Sequence, residues 1–319
     1  MTRHLVPDAL RQRFGARLRQ DEPLAGQTSF RIGGPAELFL SARSQEDLVD
    51  AVVAADAAGL PWLVLGRGSN VLVDDEGIRG LVVRNDTGSF ELDRETGIVR
   101  ADSGVRLPTI GAQTARAGFA GAEFAVGIPG SLGGGVIMNA GAHGGCIADV
   151  LTFADMLVAG ERQLWVATQL GHAYRSSVLQ ERRDAIVLGA ELHLQRCPPA
   201  EALARVQAYR HHRQETQPTD PGAGSIFRNP ESGSAGALID RAGLKSTTRG
   251  GAVISPKHGN FIVNVGGATS ADVRYLIELA RETVWRQFGV LLRREVELIG
   301  PGGRLKLADA EGDSSSAEG

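Results

Sequence analysis

Cysteine is scarce in this chain. Only Cys146 and Cys197 occur among 319 residues, so no disulfide framework and no Cys-x-x-Cys metal spacing can be built. That excludes a disulfide-stapled secreted scaffold and fits a reducing compartment, the cytoplasm. The seven histidines show no ligand spacing either, so no metal site is expected. No stretch approaches the ~20 apolar residues of a membrane span. The opening "MTRHLVPDALRQRFGARLRQ" lacks the apolar core of a secretory signal. Charge of one sign is also missing: 34 Lys and Arg face 37 Asp and Glu, for a net −3. Without a basic surface, nucleic acid is not the expected partner. Aromatics make up only 5%, yet 42% of the residues are hydrophobic, enough to bury the cores of two domains.

Glycine is abundant, at 42 residues, and eight of them fall in "GIPGSLGGGVIMNAGAHGG" (127–145). Glycine loses the most backbone entropy on folding, so such a cluster is costly unless bare backbone is needed. Either the segment makes a run of tight turns, or it lets something large lie against the main chain.

The organisation reads as mixed α+β. Residues 1–26 form an N-terminal helical segment. Short strands then outnumber helices: "AELFLSA", "WLVLG", "VLVDD", "GLVVRN", "SFELD", "GIVRAD", "QLWVAT" and "AIVLGAELHL". Helices are expected at 45–58, where Ser44 and Asp47 make a capping box, and near 108–117. The text changes at Pro198–Pro199, where we place a domain boundary: 27–198 on one side and 199–301 on the other. The second part shows a helix at 199–215, a second helix in "GALIDRAG", a strand in "GNFIVN" and a long helix in "SADVRYLIELARETVWRQFG". Val273, Leu276, Ile277, Ala280 and Val284 make one apolar stripe along that last helix. "VLLRREVELIG" alternates as a strand. Residues 302–319, ending "EGDSSSAEG", read as a disordered tail.

Four local patterns can carry chemistry. "LGRGSNVLV" (65–73) sets a Gly-x-Gly loop between two apolar runs. It is either a glycine-rich hairpin or a loop that turns backbone N–H groups toward a phosphate. It lacks the Gly-Lys-Ser/Thr of a P-loop and the third glycine of the dinucleotide fingerprint. "GIPGSLGG", in which Pro129 fixes one turn, is either a set of packed turns or a second phosphate loop. "GSIFRNP" (224–230) places Ser225 beside Arg228 and Asn229, as a proton donor with phosphate or amide ligands or as a plain polar turn. In "LLRREVELIG", alternation puts Glu295 on one face with Arg293 and Glu297, opposite Val296 and Leu298. That Glu is an acid or a solvated strand residue. Arg175 in "AYRSSVL" and the basic run "YRHHR" (209–213) read locally as surface residues.

Taken in order, "TSFRIGGPAELF", "LGRGSNVLV", "GIPGSLGGGVIMNAGAHGG", "YRSS", "GSIFRNP", "GLKS…GGAVISPKHGNFIVN" and "EVELIG" resemble the UDP-N-acetylenolpyruvoylglucosamine reductase (MurB) family, over roughly Thr28 to Gly300. The resemblance implies a two-lobed FAD-binding domain of the vanillyl-alcohol-oxidase/PCMH type over 27–198. A smaller α+β substrate-binding domain follows over 199–301. It implies non-covalent FAD, held by Gly66, Arg67, Gly68, Ser69 and Asn70 in one loop. Gly127, Ile128, Pro129, Gly130, Ser131, Gly134 and Asn139 would hold it in the other. NADPH is the implied hydride donor and a UDP-sugar, the enolpyruvyl ether of UDP-N-acetylglucosamine, the implied substrate. By similarity, Arg175 and Glu295 stabilise the anion that develops on that ether. Ser225 donates the completing proton. Tyr174, Arg228, Asn229 and Lys257 contact the substrate. Glu295 can aid an anion only when protonated, so its pKa is expected to be raised.

Three positions depart from the family pattern. Arg293-Arg294 precede Glu295 in place of an acid and a proline, His143 stands where tyrosine is common, and Ser246 replaces a frequent glycine. The chain also lacks the insertion that marks the longer subtype. The same FAD loops would equally suit an oxidase of small alcohols or hydroxy acids. A nucleotide-binding regulator would keep the loops without flavin turnover.

Overall fold

The computed structural model describes residues 4–182 and 184–304. The chain divides into two compact units. The first gathers the chain up to Glu22, Ala36–Ser69 and Arg79–Thr219. The second gathers Pro23–Pro35, Asn70–Ile78 and the chain from Asp220 onward.

Among the described residues, the first unit is built on two larger sheets, with two short two-stranded ribbons beside them, Phe119–Ala120 with Gln195–Arg196 and Gly141–Ala142 with Gly145–Cys146. One has four strands in the order Arg19–Pro23, Pro35–Ala42, Ile78–Asn85, Trp62–Leu65. Its edge strand Trp62–Leu65 runs parallel to Ile78–Asn85. The helix Gln45–Ala57 leads into that edge strand. Half of the expected capping box forms: the Ser44 side chain accepts from Asp47 N, while the Asp47 carboxylate accepts from Arg43 N and pairs with Arg17. The expected helix over 1–26 is shorter. It spans Asp8–Phe14 only, and Arg19–Pro23 is a strand.

The second sheet has five strands in the order Glu161–Val166, Leu151–Val158, Ala185–His193, Ile98–Asp102, Phe90–Leu92, all antiparallel. The central strand Ala185–His193 is buried over seven consecutive residues, because each of its faces meets a core. Ile186 and Leu188 pack with Leu38, Leu40, Leu48 and Leu81 of the first sheet and its helix. Val187, Ala190 and Leu192 pack with Ile110, Phe119, Leu132 and Val136.

The division falls at Thr219/Asp220 rather than at Pro198–Pro199. The helix Pro199–Thr216 buries only Ala202 and Val206, and both pack on Ala112, Ala115 and Val126 of the first unit. The composition change at "CPPAEA" marks the start of this helix and not the unit boundary.

The second unit is built around the helix Ser270–Phe288. Its five predicted stripe residues are all buried, against Phe227, Ile239, Ile254 and Ile262 among others. Thr269 and Asp272 form a capping box at its start, and Gly289 ends it in the left-handed region at φ 66°. One three-stranded sheet comprises Thr248–Arg249, Ala252–Ile254 and Ile262–Asn264. A second comprises Gly303–Arg304, Glu297–Gly300 and Val71–Val73. Val71–Val73 runs parallel to Glu297–Ile299, so the two apolar runs flanking "GRGSN" lie in different sheets and the hairpin reading is excluded. Of the tail expected over 302–319, Gly303–Arg304 pair with Ile299–Gly300, and residues from 305 lie outside the described region.

Candidate active site

In the first unit, the two glycine bends face each other. A Cβ built on Gly66 would lie 2.6 Å from Ser131 Oγ, and one on Gly130 would lie 3.6 Å from Ser69 Oγ. The long glycine cluster serves two purposes. Gly133, Gly135 and Gly145 are needed for packing, since a Cβ there would meet Ser103, Leu107 and Phe124 at 2.9–3.1 Å. Gly134 is exposed, and its nearest neighbour would be Ser131 Oγ at 3.7 Å, so its bare backbone faces open space. The run also contains a helix, Leu132–Met138, which glycine-poor helix propensity would not forecast. Leu132 N and Gly133 N donate to Val105 O and Ser103 O at 2.8 Å each, which fixes the bend.

Beside the first bend, Arg67 and Arg84 share Asp86, at 3.5 and 3.4 Å. Burial first, then the Arg67 charge, pushes the Arg84 guanidinium below its ordinary value. Two cations thus meet one carboxylate beside this bend. Exposed bare backbone, the hydroxyls of Ser69 and Ser131, and this local charge fit the phosphates of a dinucleotide.

The far end of the cluster holds the loop that carries Arg175. Asn139 ends the helix in the left-handed region at φ 43°. Its Nδ2 donates to Ala173 O at 3.0 Å and its Oδ1 accepts from Ala148 N at 3.0 Å. Ser177 Oγ donates to Ile137 O at 2.6 Å, and His172 Nε2 donates to Val136 O at 2.8 Å. Arg175 is itself at φ 54°. Its guanidinium donates to Gly141 O at 2.6 Å and lies over the Tyr174 ring at 5.3 Å, while Gln180 Nε2 holds its carbonyl at 3.0 Å. Asn139, expected to touch the cofactor, thus directs its amide to the Arg175 loop. Tyr174 is exposed.

The helix Pro199–Thr216 braces this region from outside. The basic run 209–213, read locally as a surface face, instead sends the half-buried Arg213 to donate to Gly127 O. Tyr209 stacks flat on His143 at 4.0 Å between centroids. His143 is therefore accommodated where tyrosine is frequent, and burial followed by nearby His212 pushes its pKa down. A cavity of about 350 Å³ opens here, lined by Glu123, Phe124, His143, Gly145 and Tyr209 among others.

In the second unit, Ser225 and Glu295 lie on neighbouring segments. Phe227 bridges Arg294 in antiparallel sense, Arg228 N donates to Arg293 O at 2.9 Å, and Glu295 N donates to Ile226 O at 2.8 Å. That register sets Ile226 across from Glu295, with Ser225 one residue further on. Of the strand expected over 290–300 only Glu297–Gly300 is one, yet the burial alternation holds up to it: Leu292, Arg294, Val296 and Leu298 are buried, Arg293 is exposed, and Glu295 and Glu297 lie between. Asn70, expected at the cofactor, is used here. Its Nδ2 donates to Glu295 O at 3.0 Å, and its carbonyl accepts from Glu297 N at 3.0 Å.

Arg228 is half-buried, with no partner among the described residues for its Nε. Asn229 is exposed and its Oδ1 accepts from Ala235 N at 3.0 Å. Lys257 is exposed. Sequence reasoning passed over Asn260, which is buried and bonded along the Ser225 segment. Its only signal was its place in "SPKHGNFIVN".

Among the described residues no helix is long and apolar enough to cross a membrane. Residues 217–299 match the model for the UDP-N-acetylenolpyruvoylglucosamine reductase C-terminal domain, and residues 36–167 match an FAD binding domain. The chain is 42% identical to the UDP-N-acetylenolpyruvoylglucosamine reductase of Bacillus velezensis over 92% of its own length and 98% of that protein. For the Bacillus subtilis reductase the identity is 40%, with the same shares covered. The crystal structure of the reductase from Thermus caldophilus superposes with a TM-score of 0.76 at 35% identity, covering 88% of this chain and 99% of that one. With both bends, the Arg175 loop and the Ser225–Glu295 pairing in place, the chain belongs to the UDP-N-acetylenolpyruvoylglucosamine reductase family.

Proposed function

We propose that this protein reduces the enolpyruvyl ether of UDP-N-acetylglucosamine to UDP-N-acetylmuramate in the cytoplasm, with NADPH as reductant and non-covalent FAD as cofactor, in peptidoglycan precursor synthesis. The observation that carries this reading is the hydrogen-bonded pairing of the Ser225–Arg228 segment with Arg293–Val296. It places a hydroxyl and a carboxyl on adjacent backbone in the substrate-binding unit.

Gly66, Gly68, Ser69, Gly130, Ser131 and Gly134 would hold the dinucleotide phosphates, with Arg67 and Arg84 supplying countercharge. When bound, FAD supplies the hydride chemistry that takes reducing equivalents from NADPH to the ether. The protein supplies orientation and the proton. Ser225 Oγ gives its proton to the carbon next to the substrate carboxylate; serine is a weak acid, so it acts only on a strongly basic carbanion. The Arg175 guanidinium pairs with the carboxylate, and Glu295 in its protonated form donates a hydrogen bond to the same developing charge. Donors preorganised where charge develops are each worth ~10²–10³ in rate. Arg228, with Tyr174, Asn229 and Lys257, binds the UDP-sugar.

An anaerobic titration tests this. The yellow protein should bleach with NADPH and regain its colour on adding the enolpyruvyl ether of UDP-N-acetylglucosamine. Bleaching by a small alcohol, with recovery on admitting oxygen, would replace the proposal with an oxidase. Protein that neither carries nor takes up FAD would replace it with a nucleotide-binding regulator.

A further inference from the structure

Asn260 lies within the second unit, only 3% exposed, and every polar group it has is engaged. Its Oδ1 accepts from Phe227 N at 2.9 Å, and its Nδ2 donates to Phe227 O at 2.8 Å. Its backbone carbonyl accepts from Ile226 N at 2.9 Å, and its own N–H donates to His258 Nδ1 at 3.1 Å. The remaining peptide group, Ile226 O, accepts from Glu295 N at 2.8 Å. All four backbone groups of the two residues after Ser225 are therefore fixed, three by Asn260 and one by Glu295.

The other side of Ser225 is less constrained. Gly224 sits at φ 76° with nothing within 4 Å of a built Cβ; upstream of it Ala223 is buried in the core, and the next hydrogen-bonded anchor is Gly222, bonded to Ser29 at both its N–H and its carbonyl. A glycine in open space does not fix direction. The direction in which Ser225 presents its hydroxyl is thus set from the Phe227 side. There the amide of Asn260 acts as a one-residue strand neighbour, supplying an acceptor and a donor in the spacing of a peptide group.

We infer that Asn260 is a positioning residue for the proton transfer: it clamps Ile226 and Phe227 so that Ser225 Oγ is held in a fixed position beside the Arg293–Val296 segment. The inference rests on the reading of Ser225 as the proton donor. Asn260 touches no reacting atom. Misplacing a reacting group by about 1 Å costs on the order of 10²-fold in rate, so removing the clamp should slow the proton-transfer half-reaction and spare the other.

The test is anaerobic stopped-flow of both half-reactions on the FAD-loaded protein, with hydrogen exchange on the peptide that spans 225–229. In Asn260→Ala, flavin reduction by NADPH should stay within about twofold of the parent. Reoxidation at saturating enolpyruvyl substrate should fall about 10²-fold with KM little changed, and the Phe227 amide should exchange faster. Asn260→Asp keeps the shape and loses only the donor to Phe227 O. It should show the same selective defect, shrinking as the pH is lowered and the introduced carboxyl takes up a proton. Asn264→Ala is the structural control. Its amide serves Phe30 O, Gly266 N and Ala268 N, and both half-reactions should stay within about twofold of the parent.

Equal slowing of both half-reactions in the Asn260 variants overturns the inference, as does a pH-independent defect in Asn260→Asp or a matching defect in Asn264→Ala. Reoxidation that stays fast in Ser225→Ala overturns the reading of Ser225 instead, whatever the Asn260 variants do.

Discussion

Asn139 holds the Arg175 loop through its side chain and its left-handed backbone together. It makes two hydrogen bonds, to Ala173 O and from Ala148 N, while its backbone sits at φ 43°. Each bond is worth about 1 kcal/mol net. Both partner residues are exposed, so water re-solvates the orphaned groups and the loss stays near ~2 kcal/mol in all. The left-handed backbone adds about 1 kcal/mol for a residue with a plain Cβ and nothing for glycine. Asn139→Ala should therefore cost ~3 kcal/mol and Asn139→Gly ~2 kcal/mol. For a unit of this size each kcal/mol lowers Tm by about 2–4 °C. Melting followed by flavin release should show drops of roughly 6–12 °C and 4–8 °C respectively. Equal destabilisation by the two variants would refute the backbone argument. No destabilisation in either would refute the account of how the Arg175 loop is held.

Two further outcomes follow from the same geometry. Gly66→Ala should weaken FAD binding about tenfold or more, because its Cβ would strike Ser131 Oγ at 2.6 Å, and overpacking costs about 1–3 kcal/mol. Combined with Ser131→Ala it should cost less than the sum of the two single losses, since the remaining Cβ lies at 3.7 Å; a fluorescence titration of apoprotein that finds strictly additive losses would contradict the packing. His172 is held below its ordinary pKa by burial, and its Nδ1 has no partner among the described residues. The folded state therefore binds this proton less readily than the unfolded chain, and stability should fall as pH drops below about 6.5. His172→Gln should flatten that acid-side decline in Tm; an unchanged slope would assign the decline to other groups.

The sequence was most informative where one physical requirement acts alone. The glycines at Gly66–Gly68 and Gly127–Gly130 mark two places where bare backbone is needed, without telling tight turns from close approach, and the stripe from Val273 to Val284 reads directly as a buried helix face. Elements decided by tertiary context were hidden. The helix Leu132–Met138 forms despite three glycines, because Leu132 and Val136 are buried in the core. The helix Pro199–Thr216 has two buried residues, too few to show which core it joins. Val71–Val73 continues the first glycine loop in the chain but pairs with Glu297–Ile299, more than two hundred residues later. Asn139 and Asn70 stand in the right motifs, yet their amides hold the backbones of the Arg175 loop and of Glu295. Asn260 is marked only by its place in "SPKHGNFIVN", since its role exists only once Phe227 lies beside it.

The proton-donor role of Ser225 is reached most directly by the two half-reactions of Ser225→Ala, followed separately under anaerobic conditions. Reduction of the flavin by NADPH should proceed nearly as in the parent, and reoxidation by the enolpyruvyl substrate should fall by orders of magnitude. Equal loss in both half-reactions, or reoxidation at the parent's rate, would contradict the account.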